Sequence, residues 1–211
     1  MKKVILTLVA LCMAATAFAQ FQIGGGYVLQ TEFTKISGDN KTYTTPLNGF
    51  YVGISGNINL NDDFFSIAPG MYYSYTTGKD NLNIQGTTIV DGTEIRQALN
   101  IPFAFTFNTE VGEGDLFFSI VPTFVCGLVY SESYAVPGTT TIRVNNYAKN
   151  ALNDNQSLAK RFDLKGGLLA GYQISHFLIS VGYDFGILDQ SRIKGITLRD
   201  NYFHAGLAFC F

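Results

Sequence analysis

The 211-residue sequence has no tryptophan, only three cysteines, and charged residues at just 14%. No segment holds the ~18 consecutive apolar residues of a transmembrane helix. Cys12 falls in the N-terminal leader. The other two, Cys126 and Cys210, are too few for the disulfide framework that staples many small exported domains. With His176 and His204 they also give no metal-ligand spacing, so neither a metal nor a cofactor is expected. The net charge is −2 and no basic stripe runs through the chain, which removes the electrostatic footprint of nucleic-acid binding. Gly24-Gly25-Gly26 is not a phosphate loop, because no Lys-Ser/Thr follows and the triplet lies inside an alternating segment. Glycines there suit a coiled strand in close contact with its neighbours.

What is present begins with a leader. Lys2 and Lys3 form a basic start, Val4 to Met13 an apolar stretch, and Ala17-Phe18-Ala19 a small-x-small cleavage site. Residues 1–19 therefore read as a cleaved signal peptide, and 20–211 as one mature domain. Loss of Lys2 and Lys3 leaves 12 basic against 16 acidic residues, a net charge of −4.

The mature chain alternates apolar and polar residues in eight segments, near 21–31, 48–60, 64–76, 94–108, 115–130, 160–174, 177–188 and 201–211. In the fourth, Ile95, Leu99, Ile101, Phe103, Phe105 and Phe107 share one face. Glu94, Arg96, Ala98, Asn100, Ala104, Thr106 and Asn108 share the other. Period-two patterning marks β-strands with two different faces, and each segment is long enough to cross a bilayer at a tilt. The connections sort as well. Those after strands two, four and six are short, at 61–63, 110–113 and 175–176. Those after strands one, three, five and seven are long, at about 32–47, 77–93, 131–159 and 189–200. Short turns at one end and long loops at the other are the pattern of an outer-membrane barrel. The expected fold is all-β, an eight-stranded antiparallel up-and-down transmembrane β-barrel in the bacterial outer membrane. Its last strand closes on the first, because open edges do not survive in hydrocarbon. Pro69, Pro102 and Pro122 each remove a ladder donor and should mark bulges or local breaks in pairing.

The signal ending FAQ, the LNIPF stretch (Leu99 to Phe103), GYDFGILD (Gly182 to Asp189) and the terminal HAGLAFCF resemble the PorT-like outer-membrane β-barrel domain family. The resemblance spans nearly the whole mature chain and implies an eight-stranded barrel with no established catalytic residues. Some members serve export machinery of the cell envelope, but no residue here marks the chain as one of those. Cys210 stands where a glycine or small residue more usually precedes the final Phe.

Parity assigns Glu94, Arg96, Arg161, Asp163, Lys165, Asp184 and His204 to the lumen. An eight-stranded barrel is just wide enough to be filled by side chains, so these should form a buried, mutually paired structural cluster. Lys165 with Asp184 is the expected pair, across the hairpin at Ser175-His176. The same residues could instead gate a narrow channel for ions or small solutes. His204 points inward without a Ser–His–acid constellation, so no catalytic residue is assigned and the chain reads as a non-enzyme. His176 reads as a solvated turn residue. Cys126 is expected to face lipid and Cys210 the lumen, which rules out a disulfide between them. Asn155-Gln156-Ser157 matches a glycosylation sequon that arises often by chance. The partners expected are outer-membrane lipid and an envelope or surface partner at the long loops. A soluble lipocalin-like carrier would need the reverse parity, with the Phe103/Phe105/Phe107 face turned inward.

Overall fold

The computed structural model describes residues 20–38, 41–61, 64–83, 89–135, 141–149 and 153–211. The expected signal peptide and the turn residues Asp62 and Asp63 lie outside them. The described residues form nine strands: β1 (Gln20–Ile36), β2 (Thr42–Asn61), β3 (Phe65–Asn83), β4 (Ile89–Val111), β5 (Gly114–Ala135), β6 (Ile142–Asn145), β7 (Phe162–Ile174), β8 (Phe177–Gly186) and β9 (Ile196–Cys210). All pair antiparallel. Eight close into a ring, since β4 pairs β5 and β1 pairs β9. The short β6 stands outside that count. It pairs only with the far end of β5, from Ser131↔Asn145 to Tyr134↔Ile142, inside the third long connection.

The strands run beyond the eight alternating segments into the long connections. The reason is the ladder itself. Once two strands are paired, each further residue satisfies its backbone groups on its neighbour, whatever its side chain. β1 therefore continues to Ile36, and β4 starts at Ile89.

Parity decides the faces. In β5, Phe117 is 6% exposed and its neighbour Phe118 is 60% exposed. The same alternation turns Phe105 and Phe107 outward on β4, Phe177, Ile179 and Val181 on β8, and Leu207 on β9. The belt continues from strand to strand around the ring. β8 together with Ile187 spans about ten residue steps of ~3.4 Å. At a tilt of ~40° that gives a height of about 25 Å, matching the apolar band of a membrane barrel. At the short-turn end, Phe209 packs on Phe177, Phe211 and the His176 ring, with centroids 5.5, 5.0 and 5.6 Å apart. His176 is thus part of an aromatic rim as well as a turn residue.

The prolines produce gaps rather than bulges. Pairing between β3 and β4 lapses from Pro69↔Phe103 to Tyr72↔Asn100, and between β4 and β5 from Pro102↔Thr123 to Phe105↔Ile120. The register is the same on both sides of each gap, and Pro122 pairs with Gly166 without interruption. One bulge does matter. The register of β4 on β5 steps from Gln97↔Val129 to Ala98↔Gly127, leaving Leu128 extra. Above that point the parity of β5 flips, so Tyr130, an even residue, faces in and is 5% exposed. At the short-turn end, Gly112 has φ +68°, a conformation that disfavours any side chain.

Gly26 lies on the closing seam, where an added Cβ would overlap the Ala205 carbonyl oxygen and Gly206 Cα. Gly26→Val is expected to force β1 and β9 apart. The folded, SDS-resistant fraction on an unboiled gel should fall well below wild type.

Candidate functional site: a divided lumen

The lumen has two storeys. The storey at the long-loop end is packed with charge. Arg96 of β4 is its centre. It forms ion pairs with Glu32 of β1, with Glu94 at 2.5 Å and with Asp200 of β9 at 2.8 Å. Its guanidinium also lies 3.7 Å from the centroid of the Tyr130 ring. Lys165 of β7 is the second cation. Its Nζ lies 4.0 Å from Asp163, 3.4 Å from the Asp200 carbonyl oxygen, and 3.2 Å from the centroid of the Tyr202 ring. Gln190 joins the two halves by donating through Nε2 to Asp163 (3.0 Å) and Asp200 (2.9 Å). Two cations thus hold four carboxylates in a space from which water is largely excluded. Such groups persist only where pairing and hydrogen bonds offset the lost hydration.

The long connections close over this storey. Ala159 bridges to Ser191, Lys160 N donates to the Gln190 carbonyl (2.7 Å) and Arg192 N to the Leu158 carbonyl (2.9 Å). Tyr130, Ala159 and Leu198 form a small apolar cluster beneath them, with Tyr147 packed against it. Burial there pushes the Tyr147 phenol up to about 12. The third and fourth long connections are therefore partly a lid, and not only a hydrophilic surface.

The storey at the short-turn end is hollow. A cavity of about 170 Å³ reaches the rim at Gln22, Asn57, Asn108 and Gln173. Small residues make the room: Gly24, Ala68, Ala104 and Ala208 line it where other positions carry long side chains. Its polar groups are mostly neutral. Tyr72 donates to Ser55 (2.9 Å), Asn100 to Ser74 (2.9 Å), and Thr106 bonds Ser119 (2.8 Å). Among the described residues the ion pair here is His204 with Asp184, at 3.5 Å, with the His204 ring edge-on to Tyr51.

Of the residues that parity placed in the lumen, Glu94, Arg96, Asp163, Lys165, Asp184 and His204 are there. Arg161 is not. It precedes β7, so no pleat fixes its direction; it is exposed, stacks over Tyr147 at 4.6 Å and donates to the carbonyls of Gly127 and Leu128. The expected Lys165–Asp184 pair is also replaced. The β7–β8 register sets Lys165 opposite Gly186 and Gly167 opposite Asp184, so Lys165 turns to Asp163 and Asp200 while Asp184 takes His204. The lumen as a whole is not side-chain-filled, only its upper half. Glu32, Asp200, Tyr130, Tyr202 and Gln190 were missed. Asp200 shares the parity of His204, and Glu32 that of Val28 and Gln30, so longer strands would have revealed both; Tyr202 lies inside the expected eighth segment, on the face of His204. The bulge hides Tyr130, and Gln190 sits in a loop. Cys126 and Cys210 are both free thiols.

No family model matches the chain, and no curated protein matches it. Several solved structures resemble it. Ail, the attachment invasion locus protein of Yersinia pestis, in complex with the heparin analogue sucrose octasulfate, gives a TM-score of 0.49 at 11% identity, over 90% of this chain and 99% of that one. Neisserial surface protein A gives 0.45 at 12%, over 90% and 97%. The translocator domain of the autotransporter NalP from Neisseria meningitidis gives 0.35 at 10%, over 97% and 95%.

Removal of Arg96 strands Glu32, Glu94 and Asp200 together. Arg96→Met is expected to cost about 3–5 kcal/mol in urea unfolding from lipid vesicles. Lys165→Met should cost less, because Asp163 keeps its bonds from Gln190 and from Leu164 N (2.8 Å).

Proposed function

We propose that this chain is an integral outer-membrane β-barrel with a sealed lumen, acting as a structural or interaction protein that presents its long connections outside the cell. One observation carries the proposal: a closed barrel whose outer wall is a continuous apolar belt, with Phe118 60% exposed, Phe177 66% and Leu207 63%. In water such a surface would drive association; in a bilayer it is the solvated face. Closure supports the same reading, because it leaves no strand edge in hydrocarbon. A soluble carrier is disfavoured by the direction of Phe105 and Phe107, which point away from the cavity. Kinship with PorT-like barrels belongs to this proposal too, and rests on the LNIPF, GYDFGILD and HAGLAFCF stretches.

The hollow lower storey favours a channel as second reading, but the path ends at Arg96 and Lys165. Those side chains hold one another, and the lid seats Gln190 on both. Opening a path would break several buried ion pairs at once, a cost of several kcal/mol. The role proposed is accordingly non-conducting and non-catalytic, with recognition left to the lid and rim.

Two measurements test this. Purified protein in a planar bilayer is expected to show no discrete conductance steps; regular steps that Lys165→Ala alters would favour the channel. In intact cells, a cysteine at Asn155 should react with an impermeant maleimide, whereas one at His176 should react only after the outer membrane is permeabilised. The reverse pattern would invert the orientation, and equal labelling in a soluble fraction would end the membrane reading.

A further inference from the structure

Charge is sorted along the barrel axis in a way the net charge conceals. All 12 basic residues of the mature chain belong to the long-loop half. Two are the buried Arg96 and Lys165, and the other ten are exposed. Among the described residues the short-turn end has no Lys or Arg, only Glu110, Glu113 and Asp115. A random scatter of lysines and arginines for solubility would not respect the two ends.

The cations best placed for a ligand are at the seam of β1 and β9. Lys35 pairs with Thr197, and Arg199 with Phe33. The two side chains are therefore diagonal neighbours on one face, about 7 Å apart. Parity sets that face. Glu32, Leu198 and Asp200 are buried inward, so Lys35 and Arg199 point outward. Lys194 joins them at the corner, since Ser37 N donates to the carbonyl of Gly195 at 2.6 Å. Lys35, Lys194 and Arg199 are exposed, and none makes a side-chain hydrogen bond or ion pair with any described residue. Below the cations the same outward face runs through Phe33, then Thr31 and Asn201, then Leu29 and Phe203, then Tyr27, with Leu207 lower still; Tyr27, Phe203 and Leu207 are exposed.

We infer that this corner binds the phosphorylated headgroup of a lipid in the leaflet at the long-loop end. The direction of the cations selects a lipid over a soluble polyanion. Lys35 and Arg199 project sideways from the wall, in line with the apolar belt, and Lys194 sits in the turn beside them. A molecule that fits must place an anion at Lys35 and Arg199 and run its acyl chains down the wall to Phe203, four residues below Arg199, and on toward Tyr27 and Leu207. Phosphate oxygens accept from Lys and Arg with the strength of charge-assisted hydrogen bonds. The inference rests on the membrane reading above.

The test uses the full mature chain folded in neutral detergent micelles. A bisphosphorylated glucosamine glycolipid and its dephosphorylated form are titrated separately, and retained lipid is counted by native mass spectrometry. Phosphate-dependent retention is expected. In the triple variant Lys35→Ala/Lys194→Ala/Arg199→Ala it should fall on the order of a hundredfold. For wild type alone, raising salt from about 0.05 to about 0.5 M should weaken the bisphosphorylated lipid and leave the other unchanged, an arm that needs no variant. Equal retention of the two lipids, or equal affinity in the triple variant, overturns the site. Equal competition by water-soluble glucosamine bisphosphate overturns the lipid as its ligand. Failure of the membrane reading would be seen separately, as absence of an SDS gel shift and of insertion into vesicles by wild type.

Discussion

The seam between β1 and β9 is the constraint on which the other features depend. Its register runs from Gln22↔Cys210 to Ile36↔Ile196, and Phe211 N adds a bond to the Phe21 carbonyl at 2.8 Å. Without it the sheet has two open edges, each a row of unpaired amides and carbonyls. With it, the backbone is satisfied around the ring and the outer wall can be apolar throughout. This is why Ile196–Cys210 is a regular, aromatic-tipped strand paired along its length.

Closure also creates the lumen, and eight strands fix its width. The chain treats the two halves of that narrow space differently. Toward the short turns it uses Gly24, Ala68, Ala104 and Ala208, which leave a cavity. Toward the long loops it uses Arg96, Lys165 and four carboxylates, which fill the cross-section. The charged storey is costly to desolvate and stable only as a complete set. The Leu128 bulge, which turns Tyr130 inward beneath Arg96, and the lid that carries Gln190 are parts of the same arrangement.

Alternation made the fold legible. The eight staves, the outward Phe105/Phe107 face and the inward Glu94, Arg96, Asp163, Lys165, Asp184 and His204 all follow from a period of two. Parity fails where the pleat ends or slips. Arg161 lies one residue before β7, so its direction is set by Tyr147 and two carbonyls. The Lys165–Asp184 pair fails because alternation gives a face but not a height; the register puts Asp184 nearer the short turns, beside His204. Glu32 and Asp200 lie in polar stretches that pair because a neighbouring strand is there, which no local pattern reports. The emptiness of the lower lumen depends on how small residues from several strands coincide at one level, again a matter of register. The sidedness of charge, by contrast, is written in the sequence, but only once the two ends of the barrel are known.

The central claim is that the apolar face looks outward into lipid. The absence of tryptophan makes it directly measurable, because one introduced indole has no background. Phe117 and Phe118 are adjacent in β5 and opposite in direction. In vesicles containing brominated acyl chains, Phe118→Trp is expected to be strongly quenched and Phe117→Trp nearly untouched. Comparable quenching of both, or quenching of Phe117→Trp alone, would contradict the account.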